Sequence, residues 1–141
     1  MPILVQPIPT DRFPKNGADV VIVGGGIIGV SAALTLAERG VSVVLLEKGE
    51  VAAEQSSRNW GWCRQQGRDP RELPLITESL KRWRLMDKRI NSRTGFNQCG
   101  TLYLADSEKS LEKQSQWLEF AKPFPIGAKV IRTKAVEALL P

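Results

Sequence analysis

A chain of 141 residues is long enough to bury a hydrophobic core, and its composition, 42% hydrophobic and 25% charged, is typical of a globular protein rather than a disordered one. The net charge of +5 favours anionic ligands without requiring a nucleic acid. The sequence contains no histidine, which excludes Ser-His-Asp catalysis and histidine-ligated metals within these residues, and Cys63 and Cys99 lack metal-ligand spacing, so we expect no metal site.

The first segment, residues 1–17, is interrupted by prolines and predicts an irregular leader. It has no basic region and does not read as a signal peptide. The longest apolar runs are far shorter than the roughly 20 residues that a membrane helix needs. We therefore expect a cytoplasmic protein without an integral membrane segment.

The next elements predict a strand, a helix and a second strand. Asp19–Val23 is a β-branched run typical of a buried parallel strand. Ile27–Arg39 carries apolar residues at helical spacing, and Gly40 stands where helices commonly end. Val41–Leu46 predicts the second buried strand. This order is the βαβ unit of an α/β fold.

A glycine-rich turn joins the first strand to the helix and has the spacing Gly-x-Gly-x-x-Gly. Gly24 permits the tight turn, Gly26 lets the backbone approach a diphosphate, and Gly29 allows the helix to pack closely on the strand. Ile27 and Ile28 begin the helix, where unpaired N–H groups face an anion. The turn therefore predicts a dinucleotide-binding site.

An acidic residue, Glu47, follows the second strand, 18 residues after Gly29. A carboxylate at this position accepts hydrogen bonds from the ribose hydroxyls of an adenosine. It would repel a 2′-phosphate, which disfavours NADP. The alternative is a glycine-rich turn in an unrelated α/β fold.

The remainder of the chain predicts a long loop followed by mixed elements. Residues 49–74 are rich in Ser, Gln, Arg, Trp and Gly, and loops of that length in a compact domain are often functional. The elements that follow are a helix over Glu72–Ile90, a strand over Gly100–Ala105, a helix from its cap Ser107 to about Lys122, a short strand at Val130–Ile131 and a helix from Thr133.

The sequence resembles the FAD-dependent amino acid and amine oxidoreductases of the D-amino acid oxidase type, which include sarcosine oxidase and glycine oxidase. The resemblance is carried by Asp19–Ala33, Leu45–Lys48, Ser56–Gly61 and Gly100–Ala105. It implies an FAD-binding Rossmann-type parallel sheet with the beginning of a second, mixed-sheet substrate domain. We accordingly assign residues 18–93 to the FAD-binding domain and residues 94–141 to the start of the substrate domain.

The resemblance also implies the cofactor, the reaction and the site residues. The cofactor is FAD, and the reaction is oxidation of the C–N bond of an amino acid or secondary amine by hydride transfer to the flavin. Arg64 is the flavin-side cation that steadies negative charge on the reduced flavin. The implied cofactor contacts are Glu47 at the ribose, Lys48 beside the adenine, Ser56 and Ser57 at the diphosphate, and Arg58, Asn59, Trp60 and Gly61 along the loop toward the flavin ring.

The residue types in this loop agree in part with that assignment. Arginines are planar donors that suit phosphates or a carboxylate, and Trp60 and Trp62 suit stacking on a flat ring. The competing interpretation makes the tryptophans core or interface anchors and the arginines solvated. Cys63 is either a covalent attachment point for flavin or a buried, unreactive thiol.

The chain departs from the family in length, because family members are much longer. We expect a fragment, a truncated product or one part of a split enzyme, with a second chain completing the flavin site. Three alternatives stay open: an NAD-binding module of a dehydrogenase, a non-catalytic remnant, and a nucleic-acid binder that uses the basic residues between positions 81 and 93.

Overall fold

The computed structural model describes residues 7–11 and 13–139. The chain divides into two compact units, Met1–Trp62 and Cys63–Pro141. Within the described part of the leader, residues 7–11 and 13–17 form no helix or strand, while residues 1–6 and 12 lie outside the described residues. The regular elements are β1 (Val20–Val23), α1 (Ile27–Ala37), β2 (Val43–Leu46), α2 (Leu73–Ile90), α3 (Glu108–Ala121) and α4 (Thr133–Glu137), with a 3₁₀ turn at Pro70–Glu72.

The first unit confirms the predicted βαβ order. Strands β1 and β2 are parallel neighbours, with Val20 opposite Val43 and Val23 opposite Leu46. Helix α1 connects them and packs on both strands. Parallel pairing requires such a crossover, because the chain must return to the same end of the sheet before the second strand begins. The structure thus confirms the predicted α/β fold class, with a parallel sheet at its start.

The turn that follows α1 closes at a glycine, at the position that the sequence predicts. Gly40 has a φ of +78°, in the left-handed region that favours glycine. Its N–H donates to the carbonyl of Ala37 at 2.9 Å, and the N–H of Val41 donates to the carbonyl of Leu36 at 3.1 Å. This is the Schellman arrangement, which satisfies the last carbonyls of the helix and directs the chain into β2.

One face of the two-stranded sheet is exposed. Side chains alternate along a strand, so Val21 and Val23 share a face, and they are 51% and 84% exposed. Leu46, which pairs with Val23, is also exposed. Parallel sheets are normally covered on both faces. The apolar face formed by Val21, Val23 and Leu46 is therefore a surface that the described residues leave open to solvent.

The second unit is built on helices whose ends follow their sequence signals. Helix α2 confirms the predicted helix over Glu72–Ile90, and the left-handed Asn91, with a φ of 49°, ends it. Helix α3 begins at Ser107, whose side chain accepts a hydrogen bond from the N–H of Ser110 at 3.2 Å. The buried hydrophobic residues of this unit are Leu73, Leu80 and Ala121.

Two predicted strands are wrong. The structure gives no strand to the described residues at Gly100–Ala105 or at Val130–Ile131. Leu102 and Leu104 have the composition of a strand but are exposed. A strand is defined by pairing, and no described segment runs beside either one to form a ladder. The second, mixed sheet and the domain boundary at residue 94 stay predictions.

The lengths and compositions of the helices bear on membrane insertion. Among residues 7–11 and 13–139, no helix is both long enough and apolar enough to cross a bilayer.

Candidate nucleotide-binding site

The glycine turn after β1 has the backbone geometry that its sequence predicts. Gly24 has a φ of +107°, and its N–H donates to the carbonyl of Leu46 at 2.7 Å, which ties the turn to β2. A Cβ built on Gly29 would lie 2.0 Å from the carbonyl oxygen of Gly24. No side chain fits at such a distance, so Gly29 is what lets the first turn of α1 lie against the end of β1.

A groove of about 530 Å³ opens at this turn. Its volume lies within the usual range of small-molecule sites. It is bordered by the glycine turn, by the start of α1 and by the loop after β2. The lining residues are Ile22, Val23, Gly24, Gly26, Ile27, Ile28, Gly29, Ala32, Gln55, Ser56 and Asn59.

The loop that follows β2 is fastened to the glycine turn. Ala52 adopts a φ of 63° and donates its N–H to the carbonyl of Gly25 at 2.9 Å. The hydroxyl oxygen of Ser56 accepts a hydrogen bond from the N–H of Ile27 at 2.8 Å. A Cβ on Gly26 would lie 3.2 Å from that oxygen and would crowd the space between turn and loop. Gly26 therefore makes room for Ser56 at the N-terminus of α1.

The carboxylate of Glu47 is held at the edge of the turn by two backbone N–H groups. Its Oε2 accepts from Gly25 at 2.7 Å and its Oε1 accepts from Gly49 at 2.9 Å. These bonds, the one from Gly25 foremost, lower the pKa of Glu47 below its ordinary value of 4.5. Glu47 is therefore ionised at neutral pH, and each oxygen keeps lone pairs for further donors such as ribose hydroxyls.

These features fit a dinucleotide. The start of α1 offers backbone donors and the positive end of a helix dipole to a diphosphate. The hydroxyl of Ser56 accepts from Ile27 and so keeps its own proton free to donate to an anion. The structure thus brings together Gly26, Ile27 and Ser56, with Glu47 bonded to the same turn through Gly25.

We expect Ser56→Ala to destabilise the first unit by about 1 kcal/mol, because the N–H of Ile27 loses an acceptor at the helix N-terminus. Urea unfolding followed by circular dichroism measures the change. Ser57→Ala is the matched control, because the hydroxyl of Ser57 bonds only to the nearby carbonyls of Ala53 and Glu54. Equal losses in the two variants would contradict the capping role of Ser56.

The loop beyond Ser56 is ordered by Asn59. Its amide nitrogen donates to the carbonyl of Ser56 at 2.6 Å, and its amide oxygen accepts from the N–H of Gly61 at 2.5 Å. Trp60 and Trp62 meet edge to face at 5.7 Å between ring centroids and are 83% and 58% exposed. The interpretation of these tryptophans as core anchors is wrong. Their stacking on a flat ring and their use as interface anchors stay predictions.

Six of the proposed cofactor contacts are not among the residues that line the groove: Glu47, Lys48, Ser57, Arg58, Trp60 and Gly61. The hydroxyl of Ser57 is used within its own turn, and Arg58 forms an exposed ion pair with Glu54 at 3.0 Å. Lys48 is exposed beside Glu47. The contacts of all six residues with a cofactor stay predictions.

Arg64 lies in the second unit, beside neighbours that sequence reasoning did not single out. Its guanidinium donates to the carbonyl of Gln66, and its Cζ lies 5.7 Å from the ring centroid of Tyr103. Tyr103 is distant in the sequence and Gln66 bonds through its backbone, so no side-chain pattern pointed to either residue.

Cys63 is exposed rather than buried, and partial desolvation raises the pKa of its thiol, which disfavours the reactive thiolate.

The sequence matches the family described as FAD dependent oxidoreductase over residues 19–141. Among solved structures, the chain is similar to L-amino acid deaminase from Proteus vulgaris. The two are 30% identical, with a TM-score of 0.85 over 94% of this chain and 32% of the deaminase.

Curated relatives include enzymes named for amines and amino-acid derivatives. The mitochondrial dimethylglycine dehydrogenase of Rattus norvegicus is 31% identical over 70% of this chain and 12% of its own length. One of the subunits of the opine oxidase of Rhizobium meliloti is 31% identical over 72% of this chain and 29% of its own length. The chain thus spans less than a third of the length of these two relatives.

Proposed function

The chain belongs to the FAD-dependent oxidoreductase family, and from that premise we propose that its first unit binds the adenosine diphosphate half of FAD. The observation that carries this proposal is the convergence of an ionised carboxylate, a glycine turn and a hydroxyl at one helix N-terminus. Glu47 accepts from the ribose hydroxyls, the N–H of Ile28 faces the diphosphate, and Ser56, whose oxygen accepts from the N–H of Ile27, donates its own proton to the diphosphate.

The reaction we propose is oxidation of the C–N bond of an amino acid or amine. The names of the deaminase, the dimethylglycine dehydrogenase and the opine oxidase support this substrate class. FAD, when bound, would supply the redox chemistry as the acceptor of the hydride. The chain's share is binding and electrostatics, with Arg64 as the cation that offsets negative charge on the flavin.

We further propose that a second polypeptide completes the flavin site. The opine oxidase of Rhizobium meliloti supports this arrangement, since the similar chain is one subunit of that enzyme. The apolar face formed by Val21, Val23 and Leu46 supports it as well, because a parallel sheet with one open face lacks a packing layer. The second candidate function is an NAD-binding module. The carboxylate of Glu47 and the glycine turn are equally compatible with NAD, so a binding experiment must distinguish NAD from FAD.

The decisive experiment titrates the purified chain with FAD, FMN, NAD and ADP and follows binding by calorimetry and flavin fluorescence. We expect FAD and ADP to bind and compete with each other, because the contacts proposed for Glu47, Ile28 and Ser56 are all to the adenosine diphosphate part that both molecules contain. FMN lacks that half and should not compete. NAD binding without FAD binding would favour the dehydrogenase module, and no nucleotide binding at all would contradict the proposal for the chain alone.

A further inference from the structure

The guanidinium of Arg64 is held at a carbonyl that a second side chain also reaches. Nη1 of Arg64 donates to the carbonyl oxygen of Gln66, and the hydroxyl of Tyr103 donates to the same oxygen at 3.4 Å. The guanidinium carbon lies 5.7 Å from the centroid of the Tyr103 ring, within the range of a cation–π contact. Tyr103 therefore contacts the arginine with its ring and contacts the acceptor of the arginine with its hydroxyl.

The turn that presents this carbonyl depends on a glycine. Gly67 has a φ of +71°, and a Cβ there would lie 3.2 Å from Nη1 of Arg64 and 3.6 Å from the hydroxyl oxygen of Tyr103. Both the backbone angle and the space thus favour glycine. The turn, the guanidinium and the phenol form one close-packed cluster, which we call the Arg64 cluster: Arg64, Gln66, Gly67 and Tyr103.

Residues on either side of the turn anchor it to the helices of the second unit. Gln65 is 9% exposed, and its side-chain amide nitrogen donates to the hydroxyl of Thr77 on α2 at 2.8 Å. The indole N–H of Trp117 on α3 donates to the carbonyl of Arg68 at 2.7 Å. The backbone that carries Arg64 is therefore fixed at both sides, so the guanidinium is ordered by its surroundings.

The charge of Arg64 has no anionic partner among residues 7–11 and 13–139. Several other arginines do have one: Arg58 pairs with Glu54, Arg71 with Asp69, and Arg82 with Glu78. Arg64 is half-buried and pairs instead with a neutral carbonyl and a ring. A cation that is partly removed from water and lacks a counter-charge is stabilised by an anionic ligand.

We propose that Tyr103 is a positioning residue that fixes the guanidinium of Arg64 for an anionic ligand, which is the negative charge on the flavin. This inference rests on the proposed function of Arg64. The ring of Tyr103 limits where the guanidinium can lie, and its hydroxyl orients the carbonyl that accepts from Nη1. The other N–H donors of Arg64 remain for the ligand, because a guanidinium has five.

The test compares Tyr103→Leu and Tyr103→Phe with Arg64→Met. Tyr103 is the only tyrosine in the chain, so no second phenol complicates the comparison. Phe96→Leu is the control, since it removes an aromatic stack with Trp83 at 5.8 Å in the same unit without touching Arg64. Circular dichroism of each variant confirms that the chain is folded.

The first readout needs no flavin. In ¹⁵N-labelled full chain, the Nε–H signal of Arg64 is identified by its loss in Arg64→Met. Tyr103→Leu should move this signal to the position of exposed arginines, while Tyr103→Phe, which keeps the ring, should retain most of its ring-current shift. Phe96→Leu should leave it unchanged. An unmoved Arg64 signal in folded Tyr103→Leu would overturn the positioning role.

The second readout is the midpoint potential of bound flavin in the loaded protein. Arg64→Met should shift the potential to more negative values, because a cation favours the more negative reduced flavin. Tyr103→Leu should shift it in the same direction, and Tyr103→Phe should restore at least half of that shift. An unshifted potential in Tyr103→Leu together with a shifted one in Arg64→Met would overturn the positioning role of Tyr103 and leave the proposed function of Arg64 intact. A normal potential in Arg64→Met overturns the proposed function of Arg64, while the NMR signal still decides whether Tyr103 positions it.

Discussion

Gly29→Ala is expected to destabilise the first unit by about 3 kcal/mol or more and to abolish nucleotide binding. In an open helix the same substitution stabilises by about 1 kcal/mol, because alanine has the higher helix propensity. Here the new Cβ would lie 2.0 Å from the carbonyl oxygen of Gly24 and 3.2 Å from its carbonyl carbon. Both atoms belong to the backbone, so the clash can be removed only if α1 moves away from β1. This movement would disrupt the groove.

Urea unfolding measures the loss of stability, and hydrogen exchange of the β1 and α1 amides reports on the first unit separately from the second. Gly40→Ala is the matched control: a Cβ there meets nothing within 4 Å, but the φ of +78° remains. We expect the control to lose about 1–2 kcal/mol from backbone strain alone. If Gly29→Ala were as stable as Gly40→Ala, the close contact between α1 and β1 would be incorrect.

Local patterns predicted the first unit because its elements are specified by short-range chemistry. The β-branched runs, the helical spacing and Gly40 act within a few residues of one another, and the structure confirms the order that they imply. The segment Gly100–Ala105 has equally strong strand composition yet forms no strand in the described residues. Strand formation needs a hydrogen-bonding neighbour, and a single segment carries no information about whether one is present.

The candidate site was predictable by region but not by residue. Ser56 and Ser57 are adjacent and identical, and the family resemblance assigned both to the diphosphate. In the structure, the hydroxyl oxygen of Ser56 accepts a hydrogen bond from the first N–H of α1, whereas the hydroxyl of Ser57 donates to a carbonyl of its own turn. The difference arises from the direction in which successive residues of a turn point. Tyr103 could not be found for a different reason, since it meets Gln66 across 37 residues of sequence.

Glu47→Gln is expected to weaken FAD binding by about 10- to 100-fold, because hydrogen bonds to a charged acceptor are stronger than those to a neutral one. The N–H groups of Gly25 and Gly49 bond to different oxygens of the carboxylate, and a glutamine replaces one of these oxygens by an NH₂ group that cannot accept. Its NH₂ group would face an N–H donor, and the turn would shift away from the ribose. Calorimetric titration with FAD measures the loss. Glu50→Gln removes the same charge from an exposed side chain nearby and should bind like the unaltered protein.

The contribution of Glu47 to stability should depend on pH in a defined direction. The pKa of Glu47 in the folded chain lies below its ordinary value of 4.5 because the N–H groups of Gly25 and Gly49 stabilise the carboxylate. Its stabilisation is therefore fully present above pH 4.5 and is lost as the pH falls through the lower, folded-state pKa. The difference in unfolding free energy between the unaltered protein and Glu47→Gln should be constant near neutrality and shrink on acidification. A difference in unfolding free energy that grew on acidification would mean that the carboxylate is not held by these N–H groups. In the FAD titration, an affinity of Glu47→Gln equal to that of Glu50→Gln would show that Glu47 does not contact the cofactor.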